Sequence, residues 1–491
     1  MLDLASASRA DIEREISNTV LYLSHLRTHL NRHTLIARLP PEVLLEIFSD
    51  IVGEWKDSLT VPNFSRRFLR IEHAYTWLGI TQVCHHWRNL TTGYPNFWNT
   101  ILLNKQNYIH LMLLRAQTVS LSLLYRVSGR GDYRRQQQIH EIIRPYLPRV
   151  EALKIIGESF ESAHDIGGAL FKCSLPSIQS ISLLCTDINL EPSNRLFGHW
   201  VANGHDDLRS LTFARISFST IQTAIRPSLR HLGIDRVPSR VLMQELLSLL
   251  GDIPLLESLS LDRCLPCVPY RSVLPSAEPE RIIRLPHLRT LYVASFGISS
   301  INLLRHLAYP DTTTVHIEVD CRSTVPDISP SSFIDSYSKI HTINQTRIRS
   351  VSFDAGPAMQ ELYGWIEPVG EWQLKNARAT SQYGIRFIGE YPNETKIFAA
   401  LVTYSMLLYS LDTLHLNLHR VDSQDIVDAA VKARNVRVFY ITHKSHLNHV
   451  LYHSRHSLIL QENYSWNSHH RYYLTSYDSH PITYPASLTY G

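Results

Sequence analysis

One short apolar pattern recurs through the middle of the chain and limits what it can fold into. An apolar residue is followed by two others, a second apolar residue, one other, and a third apolar residue. The pattern stands at Val150/Leu153/Ile155, Ile178/Ile181/Leu183, Leu208/Leu211/Phe213 and Leu229/Leu232/Ile234. It returns at Leu256/Leu259/Leu261, Leu288/Leu291/Val293, Ile348/Val351/Phe353 and Leu411/Leu414/Leu416. Middle members of the first six lie 28, 30, 21, 27 and 32 residues apart. A period in this range means stacked units, each too small to bury its apolar side alone.

The spacing fits leucine-rich repeats of ~20–29 residues with some expanded units. Each unit would be a strand plus a returning helix or loop. "LMQELLSLL" at 242–250 and "INLLRHLAY" at 301–309 suit such returns. The Asn or Cys that usually follows the last apolar residue is mostly absent, and only Cys264 lands there. The last two matches stand far apart, so the array is degenerate or interrupted between them. A strand at 436–441 closes it, and residues 443–491 form a His-, Tyr- and Ser-rich tail.

The front of the chain has a different texture. In "RLPPEVLLEIFSDIV", Val43, Leu44, Ile47, Phe48, Ile51 and Val52 fall on one broad stripe of a helix. Pro40 and Pro41 suit its entry and first turn, and Glu42 favours its dipole. A loop is expected over 53–76. Next, Ile80, Val83, Cys84 and Trp87 again share one helical face. Gly93 ends that helix, and Pro95 opens a turn with Phe97, Trp98, Ile101 and Leu102. Residues 37–103 therefore read as three short helices with a small core, which a partner would complete. Ahead of them, Ile12, Ile16, Thr19, Leu23, Leu26 and Leu30 alternate spacings of four and three on a helix over 9–34. That helix, within residues 1–36, either docks on the next domain or pairs with another copy as a short coiled coil.

Composition excludes several classes. Of the 491 residues 44% are apolar and 19% charged, which is globular material. A net charge of +4 gives no concentrated basic face for nucleic acid. The longest uncharged stretch, 397–411, is shorter than the ~20 residues of a membrane span. Six scattered cysteines make no disulfide framework, and "MLDLASASRADIERE" holds no apolar signal segment. The expected setting is intracellular, in cytoplasm or nucleus, with no membrane and no nucleic-acid partner.

The front segment resembles the F-box of fungal-type F-box proteins. The resemblance rests on Leu39, Pro40, Glu42, Leu44, Ile47 and Phe48, then Val83, Cys84, Trp87, Pro95 and Trp98. It covers about 65 of the 491 residues, and the ~24-residue insertion after the first helix departs from the family pattern. Repeats following an F-box are a common architecture of that family. The implied fold class is α+β or α/β, a short helical F-box domain at 37–103 followed by an irregular leucine-rich-repeat solenoid at 104–442. The resemblance also implies a partner, the Skp-type adaptor of a cullin ubiquitin ligase. Leu39, Pro40, Val43, Leu44, Ile47, Phe48, Val83, Cys84, Trp87 and Trp98 would bind it, with Trp87 open between interface and core. The implied role is substrate recognition without catalysis or cofactor, the substrate being an unknown protein. The alternative is an interaction scaffold with an F-box-like module outside any ligase.

The remaining motifs are weak. No nucleophile–base arrangement, phosphate loop or H-E-x-x-H stands out. Cys264 and Cys267 form a lone C-x-x-C without a second ligand pair. His446, His449, His453 and His456 share a helical face but have no acidic or thiol companion. Arg209, Arg230, Arg289 and Arg349 follow the first apolar member of their units, and Asp235, Asp262 and Asp354 follow the last. Stacking would turn both sets into rows. The expectation for Asp235, Asp262 and Asp354 is a substrate-binding acidic row on the strand face; polar residues filling solvent slots would look the same.

Overall fold

The second and third members of every apolar triplet lie in a strand. The computed structural model describes residues 8–60, 75–127, 133–157, 175–185, 207–237, 241–266, 281–295 and 297–320. Farther on it describes 349–355, 359–365, 367, 380–381, 383–388, 413–418, 438–441, 458–463 and 471–476. Within these residues the chain is a mixed α/β protein with mostly parallel pairing, and it divides into two compact units.

The first unit comprises Met1–Leu190 and Arg195–Asp207. It opens with helices α1 (Arg9–Arg32) and α2 (Pro41–Thr60). A 3-10 turn at Thr76–Gly79 then leads into α3 (Ile80–Val83) and α4 (His85–Thr92). Strands β1 (Thr100–Leu102), β2 (Leu121–Val127), β3 (Val150–Gly157) and β4 (Ser180–Cys185) follow, with α5 (Gln106–Arg115) and α6 (Tyr133–Ile143) between them. The four strands pair in parallel and in chain order. Their register aligns Ile101, Leu123, Leu153 and Ile181 in one buried column. Each such side chain contributes about 1.5–3 kcal/mol on burial.

The second unit comprises Glu191–Asn194 and Leu208–Gly491. Strands β5 (Ser210–Ala214), β6 (His231–Asp235) and β7 (Ser258–Asp262) lie side by side and parallel. The small strand β8 (Ile283–Arg284) precedes β9 (Thr290–Ser295), which pairs with β7. Helices α7 (Phe218–Ala224), α8 (Met243–Gly251) and α9 (Gly297–Arg305) return the chain. A second small strand, β10 (Leu307–Ala308), pairs with β8, and β11 (Thr314–Asp320) extends the main sheet beyond β9. Leu211, Leu232, Leu259, Leu291 and Val315 form one buried column, and Phe213, Ile234, Leu261, Val293 and Ile317 a second.

The strands that carry the last two matches are direct parallel neighbours in the sheet, so the interruption expected between them is not found there; the break falls one step earlier. Strand β12 (Ser350–Ala355) is antiparallel to β13 (Met359–Trp365), and β13 is antiparallel to β14 (Tyr383–Ile388). Since β14 pairs with β11, two strands separate β12 from the earlier run. Beyond β12 lie β15 (Thr413–Leu418) and β16 (Val438–Ile441), both parallel, then the antiparallel pair β17 (Leu458–Asn463) and β18 (Arg471–Ser476).

Three expectations need correction. Helix α2 does not stop at residue 52 but runs to Thr60, because Trp55 and Leu59 continue its buried stripe past Gly53. Residues 61–74 of the expected loop lie outside the described residues. The segment from Ile80 to Trp87 is two helices, because Cys84 is extended and its sulfur accepts from the Trp87 N–H at 3.5 Å to start α4. The front helices do not end a domain at 103. Ile101 and Leu102 belong to β1, not a helical turn, and bind the helices into one unit with four strands. The stretch 397–411, Cys267 and the four tail histidines lie outside the described residues.

Candidate functional site

Helix α2 carries two apolar stripes, and they face different surroundings. Leu44, Phe48, Val52, Trp55 and Leu59 recur near every fourth residue and are buried. One residue earlier, Val43, Ile47 and Ile51 remain 39%, 39% and 41% exposed. Val83, at the end of α3, is 58% exposed. Glu42, Glu46, Asp50 and Glu54 follow the same spacing one step farther round and are all exposed. The outer surface of α2 is therefore an apolar strip with an acidic border. Leu35 and Ile36, in the 3-10 turn before α2, are exposed as well.

The buried stripe closes on an aromatic cluster from the same unit. The Phe48 and Trp87 rings meet at 4.8 Å and 59°, a tilted pair. Trp55 meets Tyr75 at 5.4 Å, and Trp77 meets Trp98 edge-on at 4.9 Å. Trp98 Nε1 donates to the Thr91 carbonyl at 2.8 Å, so its polar edge is satisfied inside the core. The Arg115 guanidinium lies 4.2 Å over the Trp98 ring. The Leu102 N–H donates to the Tyr75 hydroxyl at 2.8 Å, and burial raises the Tyr75 pKa. At the far end of α2, Lys56 donates to the Asn96 carbonyl at 2.8 Å and to Asn99 Oδ1 at 2.7 Å. Lys154, on β3, donates to the Leu59 carbonyl, and burial brings its pKa down to about 8. These contacts hold α2 so that its outer strip stays outward.

The ten expected adaptor residues thus divide. Leu44, Phe48 and Trp98 are fully buried in the chain's own core and are corrected as contact residues, because no partner can reach them. Trp87 is half-buried against Phe48, and Cys84 is half-buried as the α4 cap. Val43, Ile47 and Val83 are exposed, Pro40 is exposed and Leu39 is half-buried. Ile51 joins the exposed strip although it was not among the ten. Its place four residues after Ile47 and eight after Val43 was visible in the period; which flank of the stripe faces outward was not.

The acidic row is corrected too. Asp235 and Asp262 are register neighbours on β6 and β7. Asp354 on β12 is separated from β7 by β9, β11, β14 and β13. Asp235 is buried, its carboxylate 3.5 Å from the Arg236 Nε. Burial first, and then the neighbouring Asp262, raise its pKa to about 7 against the pull of Arg236, Arg215 and Arg263. A carboxyl this buried is closed to a substrate, and at a pKa of about 7 it is only partly ionised near neutral pH. Arg215, Arg236 and Arg263 each follow a strand end in the left-handed region, at φ 58°, 48° and 48°. Their N–H groups donate to the carbonyls of Asp235, Asp262 and Ala294 on the next strand. In the other expected row, Arg230 and Arg289 bracket Glu257 at 2.6 and 3.7 Å. Glu257 takes the arginine's place in its own unit, so this row is an internal charge ladder at the surface.

Among the described residues no cluster of His, Cys, Asp or Glu could hold a metal ion. No described helix is long and apolar enough to cross a membrane. Compared with protein-family models and with curated proteins, the chain matches none.

Proposed function

We propose that this chain is a substrate-recognition subunit of a Skp–cullin–F-box ubiquitin ligase. In this reading the front helices form an F-box whose outer strip docks the Skp-type adaptor, and through it a cullin. The parallel strand-and-return units over 104–442 are an irregular leucine-rich-repeat array that presents a protein substrate. The chain itself is intracellular and performs no chemistry. What supports the reading is the exposed strip of Val43, Ile47 and Ile51 on α2, together with the exposed Val83 at the end of α3. The helices already have a complete aromatic core, yet four aliphatic side chains remain outside on the segment that resembles an F-box. An uncharged aliphatic centre with a charged border is the anatomy of a protein-binding patch.

The test is capture of adaptor and cullin from cells by the tagged full chain. Wild type retains both. Ile47→Asp combined with Val83→Asp loses both, while its melting curve stays that of wild type because neither residue is in the core. Loss of binding by tenfold corresponds to about 1.4 kcal/mol, which one buried charge at the centre of a patch exceeds. Absence of cullin from the wild-type sample would favour the second reading, a scaffold outside any ligase. The bare apolar seam of α1 is the observation on that side.

A further inference from the structure

Helix α1 is 24 residues long and buries none of them. The expectation that it docks on its own domain is not met: Ile16, Leu23, Leu26 and Leu30 of the seam are all exposed. We propose that α1 pairs antiparallel with α1 of a second copy of this chain, about a two-fold axis near residue 21. The two chains would form a dimer through this helix alone.

The direction follows from where the residues stand along the seam. Antiparallel pairing sets each a position against a d position. With the axis near residue 21, Ile12 meets Leu30 of the second copy, Ile16 meets Leu26, and Thr19 meets Leu23. All six seam residues are used, and the one polar member is covered by leucine rather than by another threonine. The flanking positions agree. Glu13 falls opposite Arg27 of the second copy, and Glu15 opposite His29. Val20 faces Val20 and Tyr22 faces Tyr22 at the centre, and both are more than half exposed in the single chain. A parallel pair gains none of this: Glu13 would flank Ser8 and Glu15 would flank Val20.

The present partners of these charges do not oppose the change. Glu13 is bonded to Arg9 at 2.9 Å and Asp11 to Arg14 at 3.3 Å, each within its own helix and exposed. Such solvent-exposed pairs contribute little. Ser8 caps the helix, accepting from the Asp11 N–H at 3.3 Å, so α1 is set before it pairs.

The experiment weighs the full chain by sedimentation equilibrium at micromolar concentration. Wild type is expected to show the mass of two chains. Leu23→Asp with Leu26→Asp is expected to show the mass of one, with an unchanged melting curve. Direction is read by oxidation. A mixture of chains carrying Ile16→Cys and chains carrying Leu26→Cys is expected to give a disulfide-linked pair that wild type does not. Leu30→Cys alone is expected to give none, because those two positions lie about 27 Å apart at 1.5 Å per residue. A monomeric wild type, a dimer that survives the paired aspartates, or a disulfide in Leu30→Cys without the mixed one overturns the proposal.

Discussion

Asp235 is a carboxyl group placed where its charge is costly. With its folded pKa raised to about 7, the folded chain holds a proton that the unfolded chain releases near the ordinary value of 3.8. The stability contributed by this group is therefore complete below the unfolded value and declines as pH rises toward and through about 7. Asp235→Asn keeps the shape and removes the charge. It is expected to melt higher than wild type at pH 8, by roughly 2–4 °C per kcal/mol recovered, and the gap narrows toward pH 5. Equal melting temperatures at pH 8 would contradict the burial cost. The acidic row looked plausible in the sequence because Asp follows the last apolar residue in three units. Asp262, which stands before the same left-handed turn at Arg263, is only half-buried, so nothing in the local pattern separates the two positions.

Helix α2 shows what periodicity can and cannot deliver. A stripe of six apolar residues was legible, since 3.6 residues per turn leaves no other arrangement. Its division into a buried row and an exposed row depends on where Trp77, Phe97 and Trp98 arrive, which one helix cannot encode. Phe48→Ala is therefore expected to cost about 3–5 kcal/mol in denaturant unfolding. Ile47→Ala, one residue earlier, is expected to stay within about 0.5 kcal/mol of wild type. The reverse order would show that the two stripes are misplaced. Among the strands, all eight triplets were legible because the period repeats. The segment around β1 carries the same spacing at Trp98, Ile101 and Leu103, hidden there by the helical pattern before it, and β13 ("MQELYGW") enters antiparallel without it.

At the scale of the whole chain, the boundary was the least legible feature. The expected boundary is at 103–104, but contacts divide the chain near residues 190–208. The reason is physical: Ile101, Leu123 and Leu153 stack across β1, β2 and β3, so the front helices share a sheet with the first repeat triplets. The helices therefore need no partner to complete their core; what a partner would cover is the aliphatic strip left outside. Hydroxyl-radical footprinting of the full chain, with and without purified Skp-type adaptor, reads that strip directly. The account predicts that oxidation of Val43, Ile47, Ile51 and Val83 falls when adaptor is added, while Leu44 and Phe48 stay protected in both states. Unchanged oxidation of those four residues at saturating adaptor would contradict it.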